Sequence, residues 1–261
     1  MPHTAYIAIK PLEHKIQYHN PPLAGRPTIY PTILGADCSG TIVAIGDKVT
    51  TRKAEDRVMA NACGLQSRRP EMSAFQRDRG TLLVWGGSSS VGCCAMQMAS
   101  SAGYEVFATA SKRNHGLCEA LGAAQVFDHS NPRVEDEIVA ALKGKTVVGV
   151  LDCISDDEKT LPACARILAK VEGKRKIAAV LTPAKTKYEG GVEVTRLSIP
   201  ALRASETYNA VHEWMAKALA NGILQPKPDP IIIGEGFESI QLEIDRVRKG
   251  VSAAKVVVRL S

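Results

Sequence analysis

Two glycines, three serines, a valine and a third glycine follow directly on an apolar run in Thr81 to Gly92, TLLVWGGSSSVG. Leu82, Leu83, Val84 and Trp85 have the length and composition of a short buried parallel strand, and Val91 to Ser101, closed by Gly103, has those of a helix. The chemistry lies in the turn between them. The first backbone N–H groups of a helix lack helical partners and stand at the positive end of its dipole, so an anion placed there is hydrogen-bonded and electrostatically favoured. Measured against the diphosphate-binding spacing G-x-G-x-x-G, Gly87 and Gly92 take the first and third positions and Ser89 the second. Glycine at that second position lets the backbone approach the phosphates. A serine there either weakens the site or adds a hydroxyl to it, and Ser88, Ser90 and Val91 complete the turn. An ordinary strand-to-helix loop is the alternative, and the next strand argues against it.

That strand, Glu105 to Ala110, runs into Ser111, Lys112, Arg113 and Asn114, with no carboxylate. In this architecture an acid about 20 residues past the glycines binds the ribose 2′-hydroxyl of NAD, whereas a small polar residue with Lys or Arg accommodates the 2′-phosphate of NADP. The expected cofactor is therefore NADP(H). The alternative is that Lys112 and Arg113 are only a solvated helix start.

Other chemistries find little support. Catalytic zinc needs a Cys/His/Glu set and structural zinc four closely spaced cysteines, and neither pattern is present, so no metal is expected. No Ser/His/Asp or Cys/His arrangement is discernible, and no catalytic residue is assigned. His14, His19, His115 and His212 read as surface or core histidines. Cys93 and Cys94 open a helix that must pack on the sheet, which favours burial over reactivity.

The elements that must position the turn alternate regularly. A helix from Asn114 to Leu121, a strand from Ala124 to Phe127, a helix from Arg133 to Leu142, a strand from Val147 to Ile154, a helix from Lys159 to Lys170 and a strand from Lys176 to Leu181 describe a doubly wound parallel sheet of at least five strands. Residues 1–79 form a proline-rich, β-rich unit with strands at Thr41 to Ile45 and Arg57 to Ala60. Residues 80–222 hold the sheet. Helix Thr207 to Asn221 closes that unit, and residues 223–261 form a C-terminal segment returning toward the first unit, with helix Phe237 to Lys249 and a last strand Ala254 to Leu260.

The 261 residues, 45% hydrophobic, suffice for a packed core. A net charge of +6 comes from scattered residues without a long basic tract or aromatic interleaving, which excludes a nucleic-acid binder of the usual kind. Seven cysteines without a C-x-x-C pair, no evident targeting segment and no apolar run near the ~20 residues of a membrane span make the cytoplasm the expected compartment.

In this order the pieces resemble the medium-chain dehydrogenase/reductase superfamily, which joins a GroES-like β domain to a Rossmann-type domain. PTILGADCSGTIVAIGDKVT is similar to its P-x-x-x-G-x-D-x-x-G-x-V-x-x-x-G segment, and Asp56 to Val58 to its G-D-R-V turn, with Glu55 in place of the glycine. Where zinc-dependent members read G-H-E, this chain has Gly35, Ala36 and Asp37. The likeness is greatest to zinc-independent fungal trans-acting enoyl reductases of polyketide biosynthesis. GGSSSVG, SKRN, VFDH, LDCI and VSAAKVVVRL carry it, with His129 where an aromatic residue lines the cofactor, and Ala253 and Ala254 in an S-G-x-K element.

The resemblance implies cofactor contacts at Leu181 and Thr182, at Val251 and Ser252, and, through a D-x-K-like element near the nicotinamide end, at Glu13, His14 and Lys15. It implies substrate contacts at Leu197, Ser198, Ile199, Pro200 and Ala201. It also implies an NADPH-dependent, zinc-free reductase of the C=C bond of an acyl-carrier-bound enoyl thioester, with a polyketide synthase as partner. A quinone or 2-alkenal reductase acting on small molecules is the second expectation. Two departures stand out: the chain begins inside the family's first β domain, and it passes from Ser73-Ala74-Phe75-Gln76 to Thr81 with almost nothing where the family has a strand, a loop and a helix. A truncated, non-catalytic dinucleotide-binding protein is therefore the third expectation.

Overall fold

A computed structural model describes residues 4–19, 37–50, 52–61, 80–181, 183–197 and 207–260. Its contacts divide the chain into two units, Met1–Arg68 with Pro230–Val251 and Lys255–Ser261, and Arg69–Asp229 with Ser252–Ala254. The segment expected from residue 223 onward is thus shared: its first seven residues group with the larger unit, and most of the rest with the N-terminal residues.

In the smaller unit β1 (Tyr6–Ala8) pairs antiparallel with β12 (Lys255–Arg259), which runs parallel to β11 (Pro230–Glu235). Helices α1 (Pro11–His19) and α7 (Ser239–Lys249) pack together, and Ile9, Ile244, Val256 and Val258 form the buried core. A nine-residue helix in a stretch read as β-rich is a correction. Its start signals are local: Pro11 fits the first helical position, and Glu13 reaches back so that Oε2 accepts from Lys10 N–H at 2.6 Å. A separate antiparallel pair, β2 (Asp37–Thr41) with β3 (Arg57–Asn61), replaces the strand expected at Thr41 to Ile45. Val43 is 82% exposed, so its side chain adds little packing that would select the expected strand.

The larger unit is built on a seven-stranded sheet in the order β6 (Gln125–Asp128), β5 (Glu105–Ala110), β4 (Thr81–Trp85), β7 (Val147–Asp152), β8 (Lys176–Ala179), β10 (Val192–Arg196), β9 (Lys187–Tyr188). All neighbours run parallel except the two-residue edge β9. Helices α2 (Ser90–Ser101), α3 (His115–Ala120), α4 (Val134–Leu142) and α5 (Thr160–Lys170) cover it, and α6 (Thr207–Ala220) follows. Strand parity explains the continuous apolar run TLLVW. Leu83 and Trp85 join Phe107 and the inner faces of α4 and α5, while Val84 joins Val106, Ala108 and the inner faces of α2 and α3. The fold is thus the Rossmann-type doubly wound α/β sheet expected. Beyond Leu181, β9 and β10 were missed because both are short, and β9 stands on the edge.

Two positions where the sequence has lost an expected glycine are strained. Glu55 has φ 71° and Ala253 φ 48°, the left-handed region that a Cβ disfavours by roughly 1–2 kcal/mol. Returning glycine costs about 0.5–1 kcal/mol of unfolded-state entropy, so the strain outweighs it. Glu55→Gly and Ala253→Gly are each expected to stabilise the protein by about 0.5–1 kcal/mol. Thermal unfolding midpoints that fall in both variants would contradict this account.

Candidate functional site

The strand order reverses direction between β4 and β7, and the turn after β4 lies at this switch point, where open parallel sheets form a crevice. Gly86 has φ 80°, which opens the turn; sequence spacing placed the turn's first glycine at Gly87 and passed over Gly86. Its N–H donates to Thr109 Oγ1 at 3.0 Å, and Gly87 N–H to Thr109 O at 2.8 Å, so fully buried Thr109 fastens the turn to β5. A Cβ on Gly87 would stand 3.0 Å from Ala108 Cβ, 3.1 Å from Met96 Sδ and 3.2 Å from Cys118 Sγ. On Gly92 it would stand 2.6 Å from Gly87 O and closer still to Gly86 O. Side chains can yield to the first; only backbone movement relieves the second.

Ser89 accounts for the missing middle glycine. Its backbone is extended at φ −74°, ψ 162°, which any residue adopts, and its Oγ accepts from Gly92 N–H at 3.0 Å as the N-cap of α2. The helix begins at Ser90, one residue earlier than expected, and the exposed Val91 flanks its mouth.

At the end of β5 the residues Lys112–Asn114 make a single 3₁₀ turn. Lys112 and Arg113 are exposed, whereas Asn114 is buried and its Nδ2 donates to Ser111 Oγ at 3.0 Å, Ser252 Oγ at 3.0 Å and Ser88 Oγ at 3.4 Å. Three expected site residues from distant parts of the sequence therefore meet at one amide. His129 is exposed immediately after β6, and Leu181 is half-buried two residues after β8. Leu197 is half exposed, with its N–H on Ala179 O at 2.8 Å. Val251 packs with the core of the smaller unit, where α1 also carries Glu13, His14 and Lys15. The Glu13 carboxylate is engaged in capping its own helix, and burial lowers the Lys15 pKa. Thr182 and Ser198, Ile199, Pro200 and Ala201 lie outside the described residues.

Sequence reasoning also missed a network at the end of β7. The fully buried Asp152 accepts from Ile154 and Ser155 N–H at 2.9 Å each through Oδ1, and from Thr160 Oγ1 at 2.5 Å through Oδ2. Ser155, held at φ 57°, accepts from Val180 N–H at 2.8 Å and so ties this loop to the end of β8. The signal was present as D-x-x-S before a helix, but nothing local shows that its partner is Val180.

Burial pushes the Cys93 thiol up to about 12 and the Cys118 thiol to about 11, which suppresses thiolate chemistry beside the turn. Among the described residues no three His, Cys, Asp or Glu side chains stand together as metal ligands, so these residues do not fit a zinc centre. None of the described helices is long and apolar enough to cross a membrane.

A Rossmann-type sheet with a capped, glycine-lined turn at its switch point, accompanied by a smaller β-containing unit, defines the class of two-part nucleotide-fold oxidoreductases. Residues 3–113 match the alcohol dehydrogenase GroES-like domain and residues 90–200 the zinc-binding dehydrogenase family. The chain belongs to the medium-chain dehydrogenase/reductase superfamily. It is 33% identical to the zinc-binding alcohol dehydrogenase domain-containing protein cipB of Emericella nidulans, over 97% of this chain and 87% of that one. It is 31% identical to the trans-enoyl reductase himH of Aspergillus japonicus, over 98% and 88%. That alignment spans 314 positions, more than the chain's 261 residues, so part of that relative has no counterpart within this chain. The fold is shared with Escherichia coli quinone oxidoreductase, solved in complex with NADPH, at a TM-score of 0.71 and 15% identity over 98% and 90% of the two chains.

The two glycines are expected to differ in what they tolerate. Gly87→Ala should cost about 1–3 kcal/mol, as Met96 and Cys118 give way, and Gly92→Ala more, because a carbonyl blocks it. Denaturant unfolding of the two variants checks the order, and equal losses would mean that the turn is not held by this backbone contact.

Proposed function

We propose that the chain is an NADPH-dependent, zinc-free reductase of C=C bonds that acts on acyl-carrier-bound enoyl thioesters supplied by a partner polyketide synthase in the cytoplasm. The observation that carries the reading is the crevice at the switch point: a capped helix start beside a strand end that offers Ser111, Lys112, Arg113 and Asn114 and no carboxylate. The name of the relative himH supports the enoyl substrate, and the NADPH of the quinone oxidoreductase complex supports the nicotinamide cofactor.

The backbone fit favours such a cofactor. The turn sits low over β5 because Gly87 carries no side chain, and α2 starts close against the turn because Gly92 carries none, so the positive end of α2 is set to receive a diphosphate. Lys112 and Arg113 supply exposed charge for a 2′-phosphate, and Val91 and Ile154, both 44% exposed, supply apolar walls. Bound there, reduced nicotinamide supplies a hydride for the β-carbon of the enoyl group. The chain must then stabilise the charge that grows on the thioester oxygen and allow a proton to reach the α-carbon. Backbone N–H groups and water meet these needs. Glu13 is better read as the support of α1 than as a contact, since its carboxylate serves the helix start.

One observation favours a second reading. Part of himH has no counterpart in this chain, which passes from Gln76 to Thr81 in a short stretch, and a loss of pocket walls would leave a dinucleotide-binding protein that turns over slowly or not at all.

Calorimetry on the full chain is expected to show NADPH binding at least about tenfold tighter than NADH, with Lys112→Ala/Arg113→Ala weakening NADPH alone. Equal affinities would remove the 2′-phosphate assignment. Reduction of an acyl-carrier-bound enoyl group but not of free quinones supports the proposed substrate; quinone turnover alone transfers the chain to the small-molecule reductases, and tight NADPH binding with no turnover of either supports the second reading.

A further inference from the structure

The Asn114 carboxamide stands among serine hydroxyls that the chain brings from three separate places. Ser88 comes from the turn after β4, Ser111 from the end of β5, and Ser252 from the three residues that precede β12. All four residues belong to the larger unit. The Asn114 backbone is fixed as well, because its N–H donates to Ser111 O at 2.8 Å. Only 9% of the residue is exposed, while Ser88 and Ser111 are half-buried and Ser252 is open to solvent.

The chemistry of the amide nitrogen sets the polarity of this cluster. Nδ2 carries two hydrogens and accepts nothing. Every hydroxyl oxygen that it meets is an acceptor toward it, so the proton of that hydroxyl must point elsewhere. Two hydrogens serve three oxygens, and Ser88, at 3.4 Å, has the weakest hold. Each of the three O–H groups is thus left to donate away from the amide nitrogen, and the exposed cations Lys112 and Arg113 stand between Ser111 and Asn114 in the chain.

On the reading that a dinucleotide lies in this crevice, we infer that Asn114 is a positioning residue for phosphate selectivity: it presents the hydroxyls of Ser88, Ser111 and Ser252 as donors to the 2′-phosphate of NADPH. A phosphate monoester dianion only accepts, so it profits from every donor, whereas a ribose 2′-hydroxyl needs an acceptor in return. Ser252 is the member farthest from the others in the sequence. It stands 138 positions after Asn114 and next to Ala253, whose left-handed backbone turns the chain there.

The test exchanges the polarity of the centre while keeping its shape. Asn114→Asp offers only acceptors, draws the hydroxyl protons inward and adds a negative charge beside the phosphate. Calorimetric titration of the full chain should then show NADPH binding weakened by about tenfold or more and NADH binding changed by less than about threefold. Ser252→Ala, at an exposed position, should lower the NADPH-to-NADH preference while leaving the unfolding midpoint unchanged, and it decides the matter if Asn114→Asp does not fold. Asn114→Asp binding NADPH as tightly as the parent, or both variants losing the two coenzymes in parallel, overturns the positioning role. A parent protein that binds neither coenzyme overturns the underlying cofactor reading before any variant is made, and the positioning role falls with it.

Discussion

The closeness of backbone to backbone between Gly92 and the carbonyls of Gly86 and Gly87 is the contact on which the rest of the site depends. A helix can start against the end of its own strand at that distance only where no Cβ intervenes. Once it does, Ser89 is in place to cap the helix, Ser88 is turned toward Asn114, and the positive end of α2 faces the crevice. Thr109 holds the other side of the turn with its hydroxyl and its carbonyl, and small Ala108 beneath Gly87 lets the turn lie flat on β5.

The electrostatics of the crevice follow from how its acids are used. Asp152, at the end of β7, is fully buried and its two oxygens are taken up by Ile154, Ser155 and Thr160. Asp128, at the end of β6, accepts from Ser130 N–H, and that hydrogen bond, ahead of all other influences, holds its pKa below the usual carboxylate value. Carboxylates that sit near the strand ends are thus committed to building loops. The charge left at the end of β5 is cationic, from Lys112 and Arg113. Buried thiols add no reactive anion, since desolvation raises Cys93, Cys118 and Cys153 alike.

Two turns, one in each unit, show a different economy. Glu55 and Ala253 stand where the resembled segments have glycine, and the backbone keeps glycine's left-handed conformation at both. Surrounding structure therefore dictates these turns more strongly than the residue that occupies them, at an energetic cost that a domain of ordinary stability can carry. In α1 the reverse holds: Pro11 and Glu13 supply a complete local start, which the proline-rich texture of residues 1–79 had obscured.

What the sequence determined by itself was whatever depends on periodicity and spacing. Continuous apolar runs such as TLLVW and VVGVLD announced strands buried on both faces, and the glycine positions announced the turn and the helix after it. The short strands β9 and β10 escaped, because the two-residue edge strand β9 carries no pattern and the alternation of β10 spans only a few residues. Only the tertiary structure decided which polar groups meet. Asn114 with Ser252, Thr109 with Gly86 and Ser155 with Val180 are separated by 138, 23 and 25 positions. Hydrogen bonds of that span are set by which strands lie side by side and how their registers align, and a chain written in one dimension holds that information only through the folding of all its parts.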